Sequence, residues 1–422
     1  MKAFVLGVAA ILILGAAGLP PKDPAPTKSG QGVPETTDAY RLMLAALGAD
    51  GMRNQEDLND FKTWLITRPG VVEQGFYESA VSIPDRRMTL LWNGISDLQA
   101  QAVAEGARRG LDIVVKPVGY TRASIERAIA SLLDPANAAQ LGGLQVTSVA
   151  GPTLANDQIT VAGVLPGRRA VAVKGRRVVP GHPTVPYSTR STDTGAKNAG
   201  GMIRGSSGAG CTSGFAIRLA GFTWTTTARH CTDGDWSAYD LDTPESRYGD
   251  VHTVDAGTGN RVLAGDGYYW VFDGAWDNAS GYHLTVNGLA DVSEGSSVCS
   301  SGANSGVHCD LIVENTMVTF NDGFGTFSSI RVHARSGIAG ARGDSGGPIL
   351  IPSSDGVSAA AVGMLQGSQE PQLTDCGPMR IAATCSEWIE FTSERTFLAN
   401  IGATLFTESH ASRDGQGGIS GR

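Results

Sequence analysis

The residues with the most obvious chemical potential are Gly343-Asp344-Ser345-Gly346-Gly347-Pro348. Glycines on both sides of a serine let the backbone turn sharply, so the Gly343 and Ser345 N–H groups could face an oxyanion developing beside the hydroxyl. Gly, Asp and Ser are also the usual turn formers, and a bare Gly-Asp-Ser-Gly would suit an ordinary turn. The apolar strand expected over 349–351, directly after the motif, favours the first reading. Serine is a weak nucleophile until a base takes its proton, and histidine does that best near neutral pH. His230 is the candidate base, held in Thr226-Thr227-Ala228-Arg229-His230-Cys231. A disulfide from Cys231 back to Cys211 would fix the loop that carries its imidazole.

The elements that must position these groups follow from composition and pattern. The chain has 422 residues, 41% of them hydrophobic and 18% charged, with 56 glycines and a formal net charge of −8. That length implies two domains, and the Gly-rich, charge-poor composition disfavours a helical bundle or coiled coil. The mild negative charge carries no nucleic-acid footprint. No Cys-x-x-Cys, His-Glu-x-x-His or phosphate-cradling glycine loop occurs, so neither a metal nor a cofactor is expected.

Charge and cysteine divide the chain in two. Residues 1–195 hold 20 Lys and Arg against 17 Asp and Glu, whereas residues 196–422 hold 13 against 24 and all six cysteines. An even cysteine count in an exported chain reads as disulfides, and the order suggests neighbour pairs Cys211–Cys231, Cys299–Cys309 and Cys376–Cys385. Residues 1–17 read as a signal peptide, with Lys2, an apolar run over 4–14 and small residues around Ala17. The run is shorter than the roughly 20 apolar residues of a membrane span, so no stable membrane anchor is expected.

Residues 18–40 then form a flexible leader and 41–165 a small α+β domain, with strands at 88–92 and 111–118 and helices at 95–109 and 122–133. Arg168-Arg169, Arg176-Arg177 and four prolines within 166–190 mark 166–195 as an exposed, easily cut linker. From 196 to 407 short apolar runs broken by glycine predict strands at 215–219, 222–227, 311–320, 330–334, 348–351 and 359–365, the pattern of an all-β barrel or sandwich. A short helix over 394–400, capped by Ser393 and stopped by Gly402, precedes a flexible tail at 408–422.

The two motifs in this order, with Cys211-Thr212-Ser213-Gly214-Phe215-Ala216 ahead of the histidine, resemble chymotrypsin-like serine proteases, above all the secreted bacterial branch of streptogrisins and alpha-lytic protease. Val298-Cys299-Ser300-Ser301-Gly302 running on to Cys309 resembles that branch's second disulfide loop, and Leu90-Leu91-Trp92-Asn93-Gly94 resembles its pro-region. The resemblance implies an all-β double β-barrel after a small α+β pro-domain. It implies a triad acid between His230 and Ser345, for which Asp266 is chosen by position, with Asp273 and Asp255 behind it. It further implies an ion pair between Arg331 and Asp344, and a substrate pocket floored by Ala339 with Gly367 and Ser368 on the opposite wall. Such a pocket is apolar and fairly open, suited to Leu, Met, Phe or Tyr before the scissile bond. Two residues depart from the pattern: Arg229 stands where a small residue is usual, and Gln366 where a serine is usual.

The expected function is that of a secreted, extracellular serine endopeptidase made as a zymogen. Protein or peptide substrates and the chain's own pro-domain, as chaperone and inhibitor, would be its partners, and the enzyme a monomer. The alternative is a secreted, non-catalytic homologue whose protease fold serves as a binding module.

Overall fold

Polar caps start each helix of the front half. Thr37 accepts from Tyr40 N ahead of α1 (Asp38–Ile66), Ser96 from Gln99 N ahead of α2 (Asp97–Arg108), and Thr121 and Ser124 cap α3 (Arg122–Leu133) reciprocally. These assignments come from a computed structural model that describes residues 37–410. Positions 142, 165–177, 180–196, 206–209, 232–235, 239–246, 249–250, 256, 264–266, 277–281, 322–324, 370–372, 374 and 380–383 lie outside the description. The expected signal peptide and most of the leader and tail therefore lie outside the described residues as well.

Strands β1 (Phe76–Ser82), β2 (Arg87–Trp92) and β3 (Asp112–Pro117) form one sheet, β1 antiparallel and β3 parallel to β2. Leu58, Phe61, Leu65, Leu90, Trp92 and Leu111 close its core. A second hairpin, β4 (Gln145–Ala150) and β5 (Thr160–Val164), follows α3. The α+β character matches the expectation. The leader ends sooner than the sequence suggests, because Thr37 already caps a helix.

After the linker, of which β6 (Val178–Val179) is described, the chain is almost entirely β. The first group comprises β7 (Lys197–Ala199), β8 (Met202–Gly205), β9 (Gly210–Thr212), β10 (Ile217–Leu219), β11 (Phe222–Ala228), β12 (Trp236–Ala238) and β13 (Arg247–Tyr248). It continues with β14 (Val251–Asp255), β15 (Asn260–Leu263), β16 (Gly267–Asp273) and β17 (Tyr282–Leu289). Phe215, Ile217, Val262, Val271 and Leu284 share a core with Phe397 and Leu398 of the C-terminal helix, α4 (Glu394–Ile401).

The second group is β18 (Ser297–Gly302), β19 (Gly306–Asn321), β20 (Thr326–Ala334), β21 (Gly340–Ala341), β22 (Pro348–Pro352), β23 (Ser358–Gln369), β24 (Cys385–Ser386) and β25 (Trp388–Ser393), with β26 (Thr404–Leu405) returning to β10. Strands β18, β19, β20, β25, β23 and β22 pair in that order, and β22 pairs back onto β18, so the sheet closes into a barrel. Closure leaves no open edge around Val298, Leu311, Val332, Ile349, Leu365 and Ile389. All three neighbour disulfides are present, with Cα–Cα separations of 6.3, 4.0 and 5.7 Å in chain order.

From Pro34 onward the front and back halves belong to one compact unit. Strand β4 adds antiparallel to β19, outside the barrel. On α1, Gln55 exchanges both amide hydrogen bonds with the Ser297 backbone, at 2.8 and 2.7 Å. Lys62 pairs with Glu78 and donates to the Val292 carbonyl at 2.6 Å. Ala39, Met43 and Met52 enter the same core as Phe215 and Ile217. Helix α1 is thus a docking element as much as part of the front domain.

Candidate active site

Strand β11 carries Thr225, Thr226 and Thr227 fully buried before it reaches the histidine. Thr226 Oγ1 donates to Phe215 O at 2.7 Å and Thr227 Oγ1 to Thr212 O at 2.9 Å. The threonines tie β11 to the Cys211 segment, so their hydroxyls satisfy backbone carbonyls that burial would otherwise leave bare. The disulfide Cys211–Cys231 then closes the loop, and Arg261 Nη1 holds the Cys231 carbonyl at 2.7 Å. His230 lies between these anchors, buried.

The serine loop is packed onto that same segment. Thr212 N donates to Ser345 O at 2.8 Å, and Thr212 Oγ1 donates to Gly343 O at 2.8 Å. Gly343 and Gly346 have φ of +103° and +89°, and a Cβ on Gly346 would meet Thr212 O and Thr227 Oγ1 at 2.3 Å each. Only glycine fits both that conformation and that contact. Cys231 Sγ lies 4.0 Å from the Ser345 carbonyl oxygen, so the loops bearing His230 and Ser345 are in contact. Thr212 is the residue that sequence reasoning missed here; its place after Cys211 was the available signal.

Asp266 lies outside the described residues. The other two acids are engaged elsewhere. The buried Asp273 carboxylate accepts Asp38 N at 2.6 Å and Ala39 N at 2.8 Å from the start of α1. Asp255 accepts from Gly257 N, Thr258 Oγ1 and Asn400 Nδ2, which shapes the turn into β15.

The two departures are accommodated. Arg229 lays its guanidinium 5.4 Å from the centre of the Phe327 ring, and its N–H bonds Gly259 O at 2.7 Å. The Gln366 side chain turns inward, donating to Asn260 Oδ1 at 2.5 Å, and Thr392 Oγ1 donates to the same oxygen at 2.9 Å. Asn260 is paired with Ala228, two residues before the histidine, so this amide cluster supports the His230 strand from behind.

Two expectations need correction. Arg331 does not reach Asp344: it faces Glu390 across the β20–β25 ladder, with Nε 2.8 Å from Oε1, and its Nη2 donates to Ser148 Oγ at 3.3 Å. Glu390 is fully buried, and Arg331 is the cation that balances it. Asp344 takes Asn304 N at 2.9 Å and Ser305 N at 3.1 Å on Oδ1, and Ser305 Oγ at 2.5 Å and Ala341 N at 2.7 Å on Oδ2. Burial pushes its carboxyl above the usual range, and these donors offset part of the effect.

Ala339 does not floor the pocket either. Its side chain packs in the barrel core, its carbonyl accepts Ser300 Oγ at 2.7 Å, and its N–H bonds Ser386 O at 2.8 Å. The cavity beside Ser345 is lined instead by Gly340, Ala341, Leu365, Ile389, Gly367 and Ser368, with Arg342 on its wall. It is narrow: a Cβ on Gly340 would already sit 3.2 Å from Leu365 and 3.3 Å from Ile389. On the outer side, Ser368 and Gln369 pair antiparallel with Val179 and Val178 of the chain's own linker.

No protein-family model and no curated protein sequence matches the chain. Among solved structures it is similar to a Nocardiopsis protease, at 22% identity and a TM-score of 0.37, over 50% of this chain and 98% of that one. It is also similar to Thermobifida fusca protease A, at 25% identity and 0.36, over 50% of this chain and 99% of that one. A homologue of alpha-lytic protease gives 24% identity and 0.37, over 50% of this chain and 100% of that one.

Proposed function

We propose that the chain is an exported serine endopeptidase, made as a zymogen, that cleaves peptide bonds through an acyl-enzyme. Ser345 is the nucleophile, His230 the general acid and base, and Asp266 the acid that orients the imidazole. The Gly343 and Ser345 N–H groups stabilise the oxyanion. The observation that carries this reading is the direct packing of the disulfide-closed His230 loop on the Gly343–Gly347 turn, through Thr212, Thr227 and Cys231. The protein produced from the full chain is expected to be labelled covalently by a fluorophosphonate, and Ser345→Ala to lose the label. An unlabelled wild type would leave the binding-module alternative standing.

The lining of the cavity beside Ser345 supports a preference for uncharged apolar side chains before the scissile bond. Gly340, Leu365 and Ile389 offer no carboxylate to a substrate Lys or Arg. A buried unpaired cation is too costly to accept. Because Leu365 and Ile389 fill the space, small residues such as Ala and Val should be cleaved fastest. A peptide-library profile led by Arg, Lys or Glu would refute this.

The front domain is read as inhibitor and folding partner of the back half. Gln55, Lys62 and the start of α1 make buried polar contacts with it, β4 pairs with its strand β19, and the linker strand β6 borders the candidate cleft. Refolding residues 194–422 with residues 19–193 added in trans should recover more activity than refolding them alone. Equal recovery would reduce the front domain to a spacer.

A further inference from the structure

Asp344 is 1% exposed, and each of its four donors among the described residues is neutral. A carboxylate so deeply buried is normally balanced by a cation, because neutral hydrogen bonds recover only part of its lost hydration. The position immediately before a nucleophile makes that balance matter: any swing of the Asp344 side chain moves the Gly343–Ser345 backbone with it.

What the carboxylate has instead is a relay. Ser305 Oγ has one proton, and it donates that proton to Asp344 Oδ2 at 2.5 Å. Its remaining capacity is to accept, and His308 Nε2 lies 3.0 Å away. The imidazole must then carry its proton on Nε2, so the tautomer is fixed by the chain His308, Ser305, Asp344. Both relay residues sit on one hairpin, β18–β19, which the Cys299–Cys309 disulfide closes. On the same hairpin the carboxyl is seated against Gly302, where a Cβ would lie 2.1 Å from Asp344 Cγ. The carboxyl is therefore held by one hairpin, through a slot that admits no side chain and a string of donors.

We propose that His308, acting through Ser305, is a positioning residue for the reaction: it holds Asp344, and with it the Gly343–Ser345 turn, in the role a cation would otherwise fill. This rests on the reading of Ser345 as nucleophile. His308 opens onto a cavity of about 930 Å³ that Asp38, Arg41, Trp276, Ile338 and Asp375 also line, so shortening its side chain leaves no hole in a packed core. Removing the imidazole withdraws the donor to Ser305, which is then free to turn its own proton elsewhere.

The test uses protein produced from the full chain, with the rate of fluorophosphonate labelling and the kcat and KM of peptide hydrolysis as readouts. His308→Ala should lower the labelling rate and kcat about 10- to 100-fold while KM changes less than about twofold, since oxyanion donors act in the transition state. His308→Gln keeps an N–H donor and should recover most of the loss. A labelled wild type with an unchanged His308→Ala overturns this inference alone, as does a loss that glutamine fails to repair. An unlabelled wild type overturns the proposed function and this inference with it. Independently of activity, nitrogen NMR of histidine-labelled Ser345→Ala should show His308 as the Nε2–H tautomer above its titration range; the Nδ1–H tautomer would overturn the relay.

Discussion

Ser345→Ala is expected to reduce kcat on a peptide substrate by about 10⁶-fold, and His230→Ala by a similar factor, with the double variant hardly worse than either. The non-additivity follows from the chemistry: without the base the hydroxyl is no nucleophile, and without the hydroxyl the base has nothing to activate. Binding groups and N–H donors survive both changes, so a residual acceleration of about 10³-fold over water should remain. The fold should be untouched by Ser345→Ala, because Ser345 is anchored through its carbonyl to Thr212 N, and alanine keeps that carbonyl. The same variant reads out processing. If the chain cuts its own linker, Ser345→Ala should accumulate as an uncut species, as judged on a denaturing gel. A Ser345→Ala protein with more than about 1% of wild-type activity, in a preparation free of other proteases, would remove Ser345 from the mechanism.

The motifs were legible in the sequence because they are local. His230 and Ser345 sit in segments whose glycines, threonines and cysteines constrain their own neighbours, and the disulfides join cysteines that are near in sequence. Helix α3 is legible for the same reason: Ile125 and Ile129 face the core at helical spacing behind a capping box. Residues before Met88 resist reading because their buried face mixes apolar and polar side chains. On α1 the inward face includes Gln55 and Lys62, and on β1 it includes Glu78 and Ser79, each facing polar groups of another segment. Periodicity of hydrophobic residues does not register such a face. Gly48, at φ +70°, also interrupts the helical pattern within α1. The Arg331 and Ala339 expectations failed one step further out. They depended on which carboxylate lies across a ladder and which way one residue points at a loop, and both are decided by strands more than 40 residues away in the chain, Glu390 on β25 and Ser386 on β24.

The largest effect on stability is expected at Glu394. It is the first residue of α4, fully buried, and neither carboxylate oxygen has a hydrogen-bond partner among the described residues. Burial alone pushes its carboxyl up to about 8 from an ordinary 4.5. A helix N-terminus favours the ionised form by about 0.3–1 kcal/mol, which is too little to reverse the cost of an unpaired buried charge. The native state therefore holds a neutral acid at pH 7, whereas the unfolded chain ionises it. Stability is complete below about pH 4.5, where both states are protonated; it falls as pH rises toward 8, where the native group begins to ionise, and levels off above that. At about 1.4 kcal/mol per pKa unit the full loss is on the order of 4–5 kcal/mol. Glu394→Leu removes the titrating group and keeps a side chain of similar reach on a helix whose Phe397 and Leu398 are already in the core. Denaturant unfolding should find the two proteins within about 1–2 kcal/mol of each other at acidic pH. In mildly alkaline solution the variant should be ahead by about 3–5 kcal/mol, because only the wild type carries the linkage penalty. Parallel stability curves for the two across that range would mean that Glu394 ionises normally in the native state, and hence that a partner or water reaches its carboxylate.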